Sequence, residues 1–262
     1  MSETIKRVTL NGFRYYRVMD GDTYIGTFPS VTSVLGETSD KEWLEDWKGR
    51  IGEKKAHEIS TDATKRGTVM HRLCEIYLNL PLSLSTSDRL NETLSLSRLD
   101  DEIDKFDNRA KIVGGALFYN YIRAGSFNDI NAVIAQEKFL WTARDGGYAG
   151  TLDNLSQLIT NEYAIIDFKT AKKPKDEEWI TDYKLQVAAY AIAVWDRMKI
   201  KTTVCRILIS NERTHEPQTF VMKSNDIRDY YLQFKDRLTK FYDLHPPITP
   251  QQGLQAFAGG RA

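Results

Sequence analysis

The pattern of apolar and polar positions changes character about halfway along the chain: helical spacing dominates the first half, and period-two alternation opens the second. Ahead of the helices, RYYRV and TYIGT flank Asp20-Gly21-Asp22 and predict an N-terminal β-hairpin within residues 1–29. FPSVTSVL follows, with Pro29 and Ser30 placed to start a short helix. Asp40 is a suitable cap for a longer helix through KEWLEDWKGRIGEKKAHEI, and a third helix is expected over residues 62–78. The Ser-rich stretch 81–98 reads as a mobile connection or a weakly formed helix, and residues 100–125 return to helix in spite of Gly114 and Gly115. AVIAQEKFLW, GYAGTLDNLSQLI and EYAIIDFKT then read as strands of an antiparallel meander, with turn signals at Asp145-Gly146-Gly147 and Thr160-Asn161. DEEWITDYKLQVAAYAIAVWDRM is helical, TTVCRILIS and QTFVMK are strands, and residues 224–244 form a closing helix capped by Ser224 or Asn225. The tail 246–262, rich in Pro, Gly and Gln, is expected to be flexible.

Two neighbouring apolar runs each carry an acid. In IIDFK, Asp167 and Lys169 point to one face of the strand and Phe168 to the other. If the run holding Asp153 pairs with this strand, the two carboxylates meet at the sheet end, approached through the apolar Ile165 and Ile166. Carboxylates so placed repel one another and lose hydration, and a divalent cation keeps both ionised. The Lys169 ammonium can hold an attacking water or stabilise charge on a pentavalent phosphate, which together is the chemistry of metal-assisted phosphodiester hydrolysis. These three residues are equally consistent with a surface ion pair on an edge strand. Glu137 lies mid-strand in AQEKFLW, as a functional acid or as an exposed residue of a half-buried strand. His71 and Glu75, four apart, share a helix face; the histidine is structural or, beside a carboxylate cluster, a metal ligand. Gln186 and Tyr190 share another face: Tyr190 fits the core stripe VAAYAIAVW, whereas the Gln186 amide suits a phosphate or Lys169.

Composition narrows the setting. A chain of 262 residues with 41% hydrophobic content supports one elaborated catalytic domain over residues 1–245. Lys plus Arg equals Asp plus Glu at 36 each, so bulk charge does not draw the protein onto a polyanion and any nucleic-acid surface must be local. Arg66, Arg144, Lys172 and Lys173 lie near the proposed centre in sequence and form either a solvated face or a short phosphate track. Tyr15, Tyr16, Trp43 and Trp47 offer rings for stacking unpaired bases, although Trp43 and Trp47 at helical spacing also suit a core. Cys74 and Cys205 are too few and too far apart for a zinc ribbon or an iron-sulfur cluster and fit a reducing cytoplasm. With no signal peptide and no apolar run near the roughly 20 residues of a membrane span, a soluble intracellular protein is expected.

RGTVMHRLCEIYL, QEKFLW, GTLD, IIDFKTAKK and LQVAAYA, taken in order, resemble the RecB-type branch of the PD-(D/E)XK nuclease superfamily. With FPSVTSVL and a Trp-rich helix ahead of them, they look most like the group containing the mitochondrial genome maintenance exonuclease and its phage relatives. The resemblance spans roughly residues 29–200. It implies an α/β restriction-endonuclease-like core, a mixed central sheet flanked by helices, with the N-terminal hairpin and a helical arch or cap over residues 40–125. It also implies that His71, Asp153 and Asp167 bind Mg²⁺ or Mn²⁺, with the Phe168 carbonyl as an extra ligand and Glu75 in support. Asp153, Asp167, Lys169, Glu137, Gln186 and Tyr190 form the implied catalytic set; Arg66, Arg144, Lys172, Lys173 and Ser30, taken from their places in the sequence, are the expected DNA contacts. The four cysteines that hold an iron-sulfur cluster in several such nucleases are missing, so no cluster is expected. The implied activity is exonucleolytic cleavage of single-stranded DNA with a free end; the neutral charge and single-domain length fit a monomer in a bacterial or phage-host cytoplasm, working in replication, repair or recombination with a single-strand-binding or recombination protein. A structure-specific or duplex endonuclease and a non-catalytic DNA-binding accessory protein are the alternatives.

Overall fold

The structure, a computed structural model, describes residues 3–255 apart from the side chain of Trp43. The expected hairpin is the second half of a three-stranded antiparallel sheet, β1 (Glu3–Leu10), β2 (Phe13–Asp20) and β3 (Thr23–Pro29). Strand β1 was not expected, because its charged edge residues leave only Ile5, Val8 and Leu10 partly buried and blur the alternation.

Ser30 caps α1 (Val31–Thr38) by accepting a hydrogen bond from the Ser33 N–H at 2.9 Å. Next come α2 (Glu42–Ile51) and α3 (Glu53–Asn79), divided at Gly52, whose φ of 84° suits glycine. The break expected near residue 60 is absent: Ser60 and Thr61 lie inside α3. The Ser-rich stretch contains α4 (Thr86–Ser97), capped by Ser85, and residues 100–125 divide into α5 (Asp101–Asp104) and α6 (Asn108–Arg123). Gly114 is where α6 meets α3: a Cβ there would stand 2.7 Å from the Val69 side chain and 2.8 Å from the Arg66 carbonyl oxygen.

The second half builds the main sheet from β4 (Ile130–Thr142), β5 (Tyr148–Leu158), β6 (Tyr163–Ala171), β7 (Thr202–Asn211) and β8 (Gln218–Lys223), in that spatial order. β6 and β7 are parallel, joined through the crossover helix α7 (Thr181–Met198); the other pairs are antiparallel. α8 (Ser224–Leu244) starts directly from β8. There Lys223 donates its N–H to Asp226 Oδ2 at 2.9 Å, so neither Ser224 nor Asn225 is the cap.

Alternation along β6 assigns the layers. Ile165 joins Val187, Val194, Phe234 and Phe241 on the face covered by α7 and α8, whereas Ile166 and Phe168 join Met70, Cys74 and Phe118 on the face covered by α3 and α6. This is the expected mixed sheet flanked by helices. The region 40–125 is not uniformly a cap. Residues 69–78 of α3 and one face of α6 belong to the core, while along residues 53–68 Ala56 alone is buried and Lys65 and Asp62 meet the cap of α6 and its first turn through the ion pairs to Asp107 and Arg109. The three-stranded sheet closes the end of β4 and β5 through Tyr16, Val18, Phe28, Trp141 and Ala149.

The tail is ordered further than expected. α9 (Pro250–Gln255) seats Gly253 where a Cβ would stand 2.6 Å from the Tyr24 hydroxyl, and residues 256–262 lie outside the described residues. Among the described residues no helix is long and apolar enough to cross a membrane.

Candidate active site

The site forms where two strands part. The β5–β6 ladder runs from Gln157↔Tyr163 to Asn154↔Ile166 and stops. The next residues in register are Asp153 and Asp167, so the two acids flank the mouth of the opening cleft. Released from the ladder on that side, the Phe168 N–H donates to Asp153 Oδ2 at 2.8 Å.

β4 supplies the third acid. Gln136 faces Asn154 and Lys138 faces Leu152, which places Glu137 opposite Asp153. Glu137 has a φ of 42°, left-handed backbone inside a strand, which for a residue with a Cβ is strain of the kind that clusters at functional sites. α3 adds His71, whose Nδ1 is 3.6 Å from Asp153 Oδ2 and whose ring meets Phe168 edge-on at 5.9 Å. One ligand atom each from His71, Glu137 and Asp153 lie within 4.8 Å of one another, forming a candidate divalent-metal triad.

Charge crowding is the physical signature of this triad. Protein atoms packed around the Glu137 carboxylate, then the charges of Asp153 and Glu75, push it up to about 8, although the residue as a whole is exposed. Glu75 is restrained by Arg72, whose Nη1 lies 2.5 Å from Glu75 Oε2 and whose Nε donates to Asp100 at 2.8 Å. A divalent cation is the partner that would let these acids stay ionised together, and one imidazole with two carboxylates is a donor set suited to such an ion.

Asp167 stands behind the triad rather than in it. It is 1% exposed, burial raises its pKa, and the Lys169 ammonium at 2.5 Å opposes that rise. Its Oδ1 accepts from Gln186 Nε2 at 3.2 Å; its Oδ2 is buried with no hydrogen bond of good geometry, leaving the Lys169 ion pair as its compensation. For Lys169, burial pulls the ammonium toward neutrality, but Asp167 and Asp153 outweigh it and raise its pKa. Tyr183 lies beside this ammonium, ring centroid 5.2 Å away. Tyr121 fixes the same strand end from the other face: its hydroxyl lies 3.0 Å from the Lys169 carbonyl oxygen and 2.7 Å from that of Leu208, and accepts from the Ser210 N–H.

Gln186 is buried and bonded to Asp167, so its amide is not free to reach a phosphate as the sequence suggests. Tyr190, buried beside it, fills the space that Gly150 leaves: a Cβ there would stand 2.7 Å from the tyrosine oxygen. The pair positions Asp167 from behind. Phe168 stays in the parallel ladder opposite Leu208.

The expected DNA contacts separate into two groups. Arg66 and Lys172 line one cavity of about 620 Å³, Arg66 in an ion pair with Glu212 at 3.1 Å; a second cavity of about 430 Å³ is lined by His71, Glu75 and Glu137. Both run along α3, the first beside residues 55–66 and the second beside residues 64–75. Lys173 lies near this path, over the Trp179 ring. Arg144 does not join it. It makes a two-pronged contact with Asp196 at 2.9 and 2.6 Å, in the turn before β5 and nine residues ahead of Asp153, of which the five from Tyr148 onward span roughly 17 Å of strand. Ser30 is buried and committed to its cap, so it has no surface to offer a strand. Tyr15 and Tyr16 are likewise core residues, against Phe241 and Phe139, and are not available for stacking. Trp47 is partly buried, and the Trp43 side chain lies outside the described residues.

Sequence reasoning missed Arg72, Tyr121 and Tyr183, which have partners distant in the chain, and placed Glu137 in the catalytic set, where the structure brings it into the candidate metal triad as well. Its mid-strand charge was the only available signal.

The parted strands, the acids at their mouth and the half-buried lysine coincide with a family-level match. The profile of the PD-(D/E)XK nuclease superfamily matches residues 47–251, and the chain belongs to that superfamily. Among solved structures it is similar to a candidate exonuclease from Eubacterium rectale, 11% identical with a TM-score of 0.38, over 68% of this chain and 65% of that one. It is also similar to the protein designated SSO0001, 11% identical with a TM-score of 0.35, over 69% of this chain and 86% of that one. At these scores neither likeness carries an argument about activity. No curated protein matches the chain.

Proposed function

We propose that residues 1–245 form one nuclease domain, a Mg²⁺-dependent deoxyribonuclease that degrades single-stranded DNA from a free end in a bacterial or phage-host cytoplasm. The observation that carries the reading is the convergence of His71, Glu137 and Asp153 within 4.8 Å beside the Asp167–Lys169 pair. A divalent cation held by those three side chains, with the Phe168 carbonyl as a further oxygen, would supply charge neutralisation at the scissile phosphate and an acidified water. The chain's own groups supply the rest. Lys169 keeps its proton, because Asp167 and Asp153 outweigh the cost of its burial. It is placed to act as a hydrogen-bond donor that orients water and stabilises the phosphate oxyanion. Asp167 holds that ammonium in place, and Gln186 holds Asp167. Asp153 is aimed by the Phe168 N–H, and Glu75 is kept by Arg72 in the cavity shared with Glu137 and His71.

Support for a strand-like substrate comes from the two cavities along α3, with Arg66 and Lys172 beside the larger. Linear and circular single-stranded DNA of one sequence, incubated with Mg²⁺ or with EDTA, test the reading. Nucleotide release from the linear form alone, abolished by EDTA, is expected; cleavage of the circle indicates an endonuclease, and no Mg²⁺-dependent product indicates a DNA-binding accessory protein.

A further inference from the structure

Beyond β6 the chain continues as Lys172, Lys173, Pro174 and Lys175, then enters a short 3-10 turn, Glu177–Ile180, ahead of α7. Ile180 is fully buried and anchors that turn, while Trp179 beside it is 56% exposed. An isolated exposed tryptophan needs no explanation by itself. Its surroundings do. Lys173 Nζ and Lys175 Nζ lie 5.2 and 5.7 Å from the indole centroid, and among the described residues neither has a carboxylate within ion-pair distance. Lys184, nearby in the chain, is paired with Glu177.

The arrangement is held in place. Gln218 on β8 clamps the Lys175 backbone from both sides, accepting from its N–H at 2.7 Å and donating to its carbonyl oxygen at 2.9 Å. Lys175 is half-buried; burial and then the charge of Lys173 make its ammonium harder to keep. Two cations crowded against one ring, with Asp176, Glu177 and Glu178 of the same turn outside ion-pair distance of both, form a place for an anion. The location matches the site already described: Lys172 lines the larger cavity, and the Cα atoms of Lys169 and Lys173 are separated by at most about 14 Å of chain. Exposed cation–π contacts at the outer edge of their range are weaker than stacking of a nucleobase on an indole, so an arriving base displaces an ammonium from the ring.

We infer that Trp179 is a base-stacking platform for single-stranded nucleic acid, with Lys173 and Lys175 taking the flanking phosphates, a reading that rests on the nuclease assignment for its substrate class. Inside a duplex every base is stacked on its neighbours, so only the terminal pairs can meet this ring and little is gained from it. The platform favours an unpaired strand next to the reactive lysine.

The test is fluorescence anisotropy of a labelled oligo(dT), and of a blunt duplex of the same length, titrated with the full chain in EDTA so that no cleavage intervenes. Trp179→Ala is expected to weaken oligo(dT) binding about tenfold while duplex binding moves less than about twofold. Trp179→Phe retains most of the affinity. Unchanged oligo(dT) binding by W179A overturns the inference, as does an equal loss for both DNAs or a lowered melting temperature, each of which marks a structural role. Mg²⁺-dependent cleavage by the unmodified chain is scored separately. If it cleaves while W179A binds normally, the platform fails and the nuclease reading stands. If it does not cleave but W179A selectively loses oligo(dT), the platform stands and catalysis fails.

Discussion

Glu137 carries the most concentrated conflict in the molecule. Its backbone is left-handed within a strand, worth about 1–3 kcal/mol of strain for such conformations. Its carboxylate faces Asp153 with Glu75 close by and is pushed up to about 8 from an ordinary 4.5. In metal-free protein the folded chain therefore holds this proton more tightly than the unfolded chain. The associated stability is complete below about pH 4.5 and is lost as pH climbs through about 8. A bound cation reverses that trend, because it favours the ionised carboxylate. Calorimetric melting should show a larger Mn²⁺-induced rise at about pH 9 than at about pH 6. Glu137→Gln should flatten the metal-free pH dependence and shrink the rise; a profile for E137Q matching the unmodified protein would contradict this assignment. Lys169→Met, which keeps the apolar stem, should reduce cleavage below detection while Mn²⁺ uptake remains; normal turnover by K169M would remove the ammonium from catalysis.

At the scale of elements, the site exists because the β5–β6 ladder stops at Asn154↔Ile166, one register step before its two acids. Behind the opening, α7 must come close to β5, and Gly150 lets Tyr190 do so. Gly150→Ala should cost about 1–3 kcal/mol in urea denaturation through overpacking, because the nearest atoms belong to a buried ring. A loss below about 0.5 kcal/mol would show that α7 shifts freely. The strands β4 to β6 and the helix α7 were legible in the sequence because their periodicities are strong and their ends are marked by Asn, Asp and Gly. Asp153 beside Asp167 was legible for the same reason, since register follows from the short turn. The start of α3 was not: Ser60, Thr61 and Asp62 imitate a helix cap, yet the chain turns at Gly52, where the backbone conformation decides. Nor were the partners of Gln186, Tyr15 and Tyr16, which depend on packing between segments remote in sequence. The place of Glu137 depends on a strand irregularity, for which its mid-strand charge was the one local signal.

At the scale of the whole molecule, zero net charge and a nuclease fold are compatible because the cations near the site are local: Arg66 and Lys172 beside one cavity, Lys173 and Lys175 at Trp179. The mixed sheet brings α3 to one face and α7 to the other, so His71 and the Gln186–Tyr190 pair approach the parted strands from opposite layers. Coordination by His71, Glu137 and Asp153 is the event on which the proposed activity depends. Isothermal titration of Mn²⁺ into the intact chain tests it most directly. Saturable uptake is expected, lost in Asp153→Asn and weakened in both His71→Ala and Glu137→Gln, with all variants folded. Undiminished uptake in all three, or none in the unmodified protein, would contradict a metal centre at this place.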